Sequence, residues 1–371
     1  MKLLVFAHTP PPLHGQSLMV ETLVEGLAQH PEIEILHVNA RLSRDSRDIG
    51  RWRPGKVILI LQACIRAWRL RLQHGPALLY YVPAPGKRSA LYRDLLVMAL
   101  CRPFFSGLVL HWHAAGLAGW LDQHAHPLER WLAKMLLGRA DLSIVLGENL
   151  QADATGLNAR RVSIVRNGIR DPEANGVVRS AASPTHVEAL FLGLCSRDKG
   201  LFDAIAAVQL ANARAMPNGN RLIRLRIAGD FPDAATEREL LEAIAPTDGA
   251  VRYEGFVQGE AKDALLRRAD VLIFPTWYAH EAQPLVIAEA LAFDLPVIIT
   301  RWRAVHEGLP TAHVHLVEPH RPDHIADALD IVRTAGSPGG KLRAHFLAHF
   351  TRERHLAALS KQLILLQPVL R

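Results

Sequence analysis

The sequence predicts an α/β protein of two domains, each a parallel sheet covered by helices. Three observations point there. Its 371 residues exceed what one hydrophobic core ordinarily serves, and 49% of them are hydrophobic, enough to fill two cores. Short β-branched and aliphatic runs alternate with helix-length stretches from end to end, the rhythm of strand, crossover helix and next strand. A stretch rich in turn residues divides that rhythm into halves.

The first half carries strand runs at Leu3–Ala7, Glu32–Val38, Ala77–Val82, Leu108–His113, Leu142–Leu146 and Val162–Val165. Asn167-Gly168, Arg170 to Gly176 and Ser180 to Pro184 then read as a linker. Six further runs follow at Val187–Leu192, Leu225–Ala228, Val251–Tyr253, Val271–Phe274, Val297–Ile299 and Val314–Val317. The simplest arrangement is two Rossmann-like domains facing a cleft, residues 1–170 and 171–345. Lys341 to Leu366 reads as helix, and residues 346–371 are expected to pack back on the first domain.

Composition narrows the setting. Cys64, Cys101 and Cys195 are an odd number, far apart and without CxxC spacing, which argues against a disulfide framework or a structural zinc site and suits a reducing cytoplasm. The apolar start, Leu3 to Ala7, meets Thr9 and three prolines before a secretory hydrophobic region is complete, so it reads as a buried strand. Val57–Cys64 and Leu95–Cys101 fall short of the roughly 18 to 20 residues a membrane span needs.

Charge is unevenly distributed. Arg51, Arg53, Lys56, Arg66, Arg69, Arg71, Lys87, Arg88, Arg93 and Arg102 face one acid, Asp94, giving residues 51–103 a charge of +9 in a chain whose total is +7. With Trp52, Trp68, Phe104 and Phe105 interleaved, this is the composition of helices that lie on an anionic bilayer. An ordinary basic helix packed on a sheet is the plainer alternative. Nucleic acid is not expected as a partner, because the basic residues flank apolar runs and no nucleic-acid motif is present.

The segment Pro275 to Glu289 holds two glutamates, Glu281 and Glu289, with Pro284 between them. Proline lacks a backbone donor and is tolerated in a helix's first turn, so a helix should begin at about Pro284, leaving Glu281 in the preceding loop and Glu289 in the second turn. The first-turn amides of Leu285 and Val286 then lack helix partners, and such a helix start at the carboxyl edge of a parallel sheet suits a diphosphate. Taken alone, the same pair reads more simply as two solvated acids flanking a helix.

Context reverses that balance. Val251 to Val257, Ala269 to Thr276, Glu281 to Leu291 and Leu295 to Ile298 resemble, in order and spacing, the nucleotide-sugar domain of glycosyltransferase family 4. The likeness is strong over Val187 to Val317 and weaker in the first half. It implies the two-domain GT-B fold and transfer with retention of anomeric configuration. It also implies the E-x7-E roles, with Glu281 toward the sugar and Glu289 toward the ribose. Phe191 to Gly200 resembles the family's strand-to-helix turn, where an Arg after the first Gly and a Lys before the second neutralise the donor diphosphate. Lys199 stands in the Lys position, Leu194 in the Arg position, and Arg197 is the available substitute. Gly229, in Ile227 to Asp230, is expected to form a tight left-handed turn.

In the first half, Pro10 to Ser17 partly matches a glycine-rich loop that closes over the donor phosphates or receives the acceptor, through Gly15 and Gln16. A plain Pro/Gly connector is the other reading. Strand alternation puts His111 and His113 on one face, and the resemblance makes His113 the histidine facing the transferred sugar. His111-Trp112-His113 and His124-Ala125-His126 raise a metal site, but no acid or cysteine lies at suggestive spacing, so none is expected. No cofactor is implied beyond a nucleoside-diphosphate sugar as donor substrate.

These readings converge on a retaining glycosyltransferase acting on a glycan or lipid-linked acceptor, in bacterial cell-surface polysaccharide synthesis. The expected location is cytoplasmic, peripheral on the inner membrane face through residues 51–103. The alternative is a GT-B paralogue that no longer transfers sugar and acts as a binding or assembly protein. A nicotinamide oxidoreductase is disfavoured, since no GxGxxG follows a predicted strand.

Overall fold

The computed structural model describes residues 1–42, 54–174, 176, 183, 185–215 and 222–366. Arg51, Trp52, Arg53 and most of Asn175 to Pro184 lie outside the described residues. Two units divide the chain: Met1–Gly168 with Arg352–Arg371, and Ile169–Thr351. Each holds one six-stranded sheet whose neighbouring strands all run parallel. Each unit is a Rossmann-like fold, as expected of the two domains.

In the first unit the chain runs β1 (Lys2–Phe6), α1 (Gly15–Leu27), β2 (Glu34–Val38), α2 (Pro54–His74), β3 (Leu78–Tyr81), α3 (Arg88–Cys101), β4 (Gly107–His111), α4 (Leu117–His124), α5 (Pro127–Leu136), β5 (Leu142–Val145), α6 (Ala152–Gly156) and β6 (Val162–Ile164). The sheet order is β2-β1-β3-β4-β5-β6. Leu3 and Val5 of β1 pack with Val20, Leu23 and Leu27 of α1, while Leu4, Phe6, Leu79 and Tyr81, on the opposite face, are buried as well. Burial on both faces is why these strands read as unbroken apolar runs.

The second unit continues with β7 (His186–Leu192), α7 (Leu201–Ala215), β8 (Leu222–Ala228), α8 (Ala234–Ile244), β9 (Val251–Tyr253), α9 (Glu260–Arg268), β10 (Val271–Phe274), α10 (Leu285–Ala292), β11 (Val297–Thr300), β12 (Val314–Val317), α11 (Pro322–Thr334) and α12 (Lys341–His349). Its order is β12-β11-β10-β7-β8-β9. Alternation splits its core: Val187, Ala189 and Phe191 pack toward α7 and α11, whereas Leu190, Leu192, Leu272 and Phe274 pack toward α9 and α10. The strand order reverses between β7 and β10, and the carboxyl ends of those two strands form the crevice where such sheets take ligands.

Three expectations change. The helix predicted from Lys341 to Leu366 is two helices, α12 and α13 (Arg352–Ile364). Phe346 and Phe350 anchor α12 under Leu291 and Ala292 in the second unit, whereas Leu359 and Leu363 of α13 sit in the first unit's core. The turn back therefore falls at Phe350–Thr351, where buried aromatic packing ends, and the units part at Gly168/Ile169 and Thr351/Arg352. β4 stops at His111, so His113 lies in the bend beyond it. Gly229, with φ of 158°, is not the left-handed helical turn expected. An added Cβ there would stand 1.7 Å from the Gly193 carbonyl oxygen, so close backbone approach demands the glycine.

Because α13 supplies core to the first unit, Leu359→Ala should lower that unit's stability by about 2–5 kcal/mol. Hydrogen exchange should quicken in β1 and α1 and stay unchanged in β7 and β8; the opposite pattern would contradict the assignment of α13.

Candidate functional site

Two loops meet at the switch point of the second sheet. The loop after β7 makes a 3-10 turn at Arg197–Lys199 and ends on Gly200, whose φ is 78°. A Cβ on Gly200 would lie 2.3 Å from the Pro275 carbonyl oxygen, so only glycine lets this turn close against the loop after β10. Trp277 N donates to the Asp198 carbonyl at 2.8 Å, tying the two loops by their backbones. Thr300 of β11 hydrogen-bonds the Thr276 carbonyl, and Trp302 Nε1 donates to the Tyr278 carbonyl at 2.8 Å.

These ties bring Lys199 and Glu281, distant in sequence, into an ion pair with Nζ 2.6 Å from Oε2. Thr276 Oγ1 donates to the same carboxylate oxygen at 2.9 Å. The Lys199 ammonium lies 4.7 Å from the Tyr278 ring centroid and 5.7 Å from that of Phe274, so aromatic faces support the cation where water is scarce. Glu281 is 7% exposed, a buried carboxylate with an ammonium and a hydroxyl as its partners.

Pro284 is the N-cap of α10, and the helix proper begins one residue later, at Leu285. No side chain caps it. As first-turn amides, Leu285 and Val286 lack intrahelical partners, at the positive end of the helix dipole. Glu289 falls in the second turn as predicted, and Lys262 of α9 pairs with it, Nζ to Oε1 2.6 Å. The sequence reading missed Lys262. An (i, i+27) partner carries no local signal, because it depends on how α9 packs beside α10.

Arg197 is placed otherwise than expected. Its guanidinium pairs with Glu239 of α8 and lies 4.7 Å over the Phe202 ring, turned toward α8 rather than grouped with Lys199. Leu194, in the Arg position of the resemblance, is an exposed apolar side chain. Among the described residues, Lys199 is thus the one expected diphosphate cation that stands with Glu281.

In the first unit, Gly15 and Gln16 are the opening residues of α1 rather than part of an open glycine loop. The structure also shows two histidines that were not singled out. His14 is the N-cap of α1: its Nδ1 accepts from Ser17 N at 3.4 Å, and Ser17 Oγ accepts from His14 N at 3.1 Å. An accepting Nδ1 places the neutral ring's proton on Nε2, which then donates to His8 Nε2 at 2.8 Å, clasping the triproline loop between them. The Ser three residues past His14 was the available signal, a reciprocal cap with an unusual N-cap residue.

His111 and His113 do share a face, with ring centroids 4.1 Å apart, and His355 of α13 stacks 6.3 Å from His111. The Tyr80 hydroxyl hydrogen-bonds His111 Nδ1. Burial pushes His113 down to about 3, with His355 and His14 adding to the effect. Burial, then His8, pushes His14 down to about 4. His8, His111 and His355 are lowered too, chiefly by burial, with Arg93 and Arg41 adding to the effect at His8. Among the described residues no group of three His, Cys, Asp or Glu side chains is arranged to hold a metal ion.

A histidine held neutral when folded binds its proton more readily when unfolded, so its contribution is present above pH 6.5 and is lost as pH falls through the folded value. First-unit stability should therefore be flat above about pH 7 and fall from pH 6.5 toward 4, each such histidine adding a slope of up to about 1.4 kcal/mol per pH unit. His14→Gln should make that slope shallower in denaturant titrations at pH 5, 6 and 7. An unchanged slope would mean the buried histidines are already protonated.

Comparison with known proteins agrees with this geometry. The profile of the family glycosyl transferases group 1 matches residues 187–333, the segment that holds Lys199, Lys262, Glu281 and Glu289. No curated protein matches the sequence at a significant level. Among solved structures, sucrose-phosphate synthase from Thermosynechococcus elongatus superposes with a TM-score of 0.73, at 16% identity over 100% of both chains. The α,α-trehalose 6-phosphate synthase of Burkholderia multivorans does so at 0.71, with 13% identity over 99% of this chain and 97% of that one. Anabaena HepE, solved in complex with UDP, superposes at 0.65, with 16% identity over 98% and 99%. At such identities these likenesses show the shared fold. Residues 187–333 of this chain are thus similar to the group 1 glycosyltransferases, in a chain built on two Rossmann-like units.

Proposed function

We propose that the protein transfers a sugar, with retention of anomeric configuration, from a nucleoside-diphosphate sugar to a glycan or lipid-linked acceptor in cell-surface polysaccharide synthesis. The observation that carries this reading is the Lys199–Glu281 pair at the β7/β10 switch point, beside an uncapped helix start. Such a crevice offers a cation and free amides to a diphosphate, a buried carboxylate to sugar hydroxyls, and Glu289 to a ribose.

In the proposed reaction the acceptor hydroxyl attacks the anomeric carbon from the face the diphosphate leaves. A new C–O bond forms, the bond to the phosphate oxygen breaks, and the acceptor's proton passes to that oxygen. Lys199 and the α10 amides offset charge growing on the leaving diphosphate, the term that usually dominates such sites. Glu281 orients the sugar; His113, toward the sugar, and Gly15 and Gln16, toward the donor phosphates, keep the roles that the family resemblance implies. Because burial keeps His113 neutral, it offers a hydrogen bond rather than a positive charge. The acceptor is met at an anionic membrane surface on the cytoplasmic side, with residues 51–103 as the attachment.

One observation favours the non-transferring alternative: Leu194 lacks the second phosphate cation, and Arg197 is committed to Glu239. Thermal unfolding with UDP and GDP, followed by transfer assays on the donors of whichever base protects, separates the two. Lys199→Ala should weaken nucleotide binding roughly tenfold to a hundredfold, the worth of one hydrogen bond to a charged group. Glu281→Ala should leave UDP or GDP protection intact while transfer falls by about a hundredfold or more. Transfer unchanged in both variants would sink the assignment, and a wild-type protein protected by neither nucleotide would favour the assembly role.

A further inference from the structure

The first unit carries an exposed surface on which apolar side chains and positive charge occur together, on helices whose own acids are buried. On α2, Ile58, Leu61, Ile65 and Leu72 recur at helical spacing, with Ile58 59% and Leu72 81% exposed. Arg66 and Arg69, between them, are also exposed. A second stripe lies on α5, where Leu128, Trp131 and Met135 follow at i, i+3 and i+7, with Trp131 56% exposed. Lys134 stands beside it, exposed.

Contacts within the unit join the stripes. Trp68 of α2 donates from Nε1 to the Leu100 carbonyl and its ring packs 5.4 Å from Phe104, itself 55% exposed. Arg71 Nε donates to the Phe104 carbonyl at 2.9 Å, and Arg102 Nη1 donates to the Leu136 carbonyl at 2.6 Å, at the end of α5. Phe104 therefore packs on α2, and Arg102 ties the turn that carries it to the end of α5. The acids of α2, α3 and α5 are Asp94 and Glu129 alone. Both are buried and ion-paired, Asp94 to Arg93 and Glu129 to Arg88, so these helices expose positive charge only.

We infer that α2, Phe104 and α5 form one surface that seats on an anionic phospholipid bilayer, with Trp131, Phe104 and Leu72 entering the headgroup region and Arg66, Arg69 and Lys134 meeting lipid phosphates. The inference rests on the membrane part of the proposed function and extends it to α5, outside residues 51–103. Charge decides the occupant: two copies of this chain would bring like-charged faces together, whereas anionic lipid neutralises the basic rim as the apolar side chains leave water. Trp131, an amphipathic ring between a polar and an apolar medium, suits the bilayer boundary. The described helices include none long and apolar enough to span, so the contact is peripheral.

Flotation with vesicles of phosphatidylcholine containing 30% phosphatidylglycerol tests this, against vesicles of phosphatidylcholine alone. Wild-type protein should float with the first, more weakly as salt rises, and stay below with the second. Arg66→Gln with Arg69→Gln should cut partitioning about thirtyfold, each arginine near an anionic surface being worth about fivefold. Leu72→Ser with Trp131→Ser should cut it at least about tenfold. Nucleotide protection in the same variants should match wild type, which separates failure of this surface from failure of the donor site. Equal binding to both vesicles, no binding to either, or full partitioning by the Leu72/Trp131 variant would overturn the inference. So would wild-type dimers in solution that this variant dissociates, since the face would then be covered by a second copy.

Discussion

The site in the second unit depends on one interaction, the buried ion pair between Lys199 and Glu281. Neither charge would be tolerated there alone, because desolvating an unpaired ammonium or carboxylate costs several kcal/mol. The pair exists because β7 and β10 are neighbours, because Gly200 lets the first loop turn against Pro275, and because Thr276 and Trp277 tie the second loop down. Each of these conditions serves packing and site at once. The pair is fixed by the fold itself, so its geometry is set before any ligand arrives.

The first unit is built on a different constraint. Its end of the sheet gathers His8, His14, His111, His113 and His355, and burial holds them neutral. Neutral rings both donate and accept, which is how His14 serves α1 and His8 together. His355 reaches this group only because α13 returns from the second unit's sequence to complete the first unit's core. Stability and site geometry in this unit are therefore coupled to pH and to the last helix of the chain.

Much of this was legible beforehand. All twelve strand runs lie where β-branched and aliphatic residues cluster, because a strand buried on both faces announces itself by composition. Pro284 marked the start of α10 to within one residue, since a missing amide donor can be accommodated at few places. The break between α12 and α13 was not legible, as it follows from which core each helix's aromatic and aliphatic residues join. The partner of Arg197 was not legible for a similar reason: a flexible arginine goes to the nearest carboxylate, and Glu239 is brought near by the packing of α8. The reading of Gly229 was right about the residue and wrong about its cause.

By itself, the sequence determined the fold class, the order of strands along the chain, the E-x7-E spacing and the regional positive charge, because all of these reside in local pattern or composition. Tertiary structure alone decided the partners: Lys199 with Glu281, Lys262 with Glu289, Arg197 with Glu239, and His8 with His14. The physical reason is that a salt bridge or hydrogen bond acts over about 3 Å. Only the packed chain says which of many distant charges comes that close.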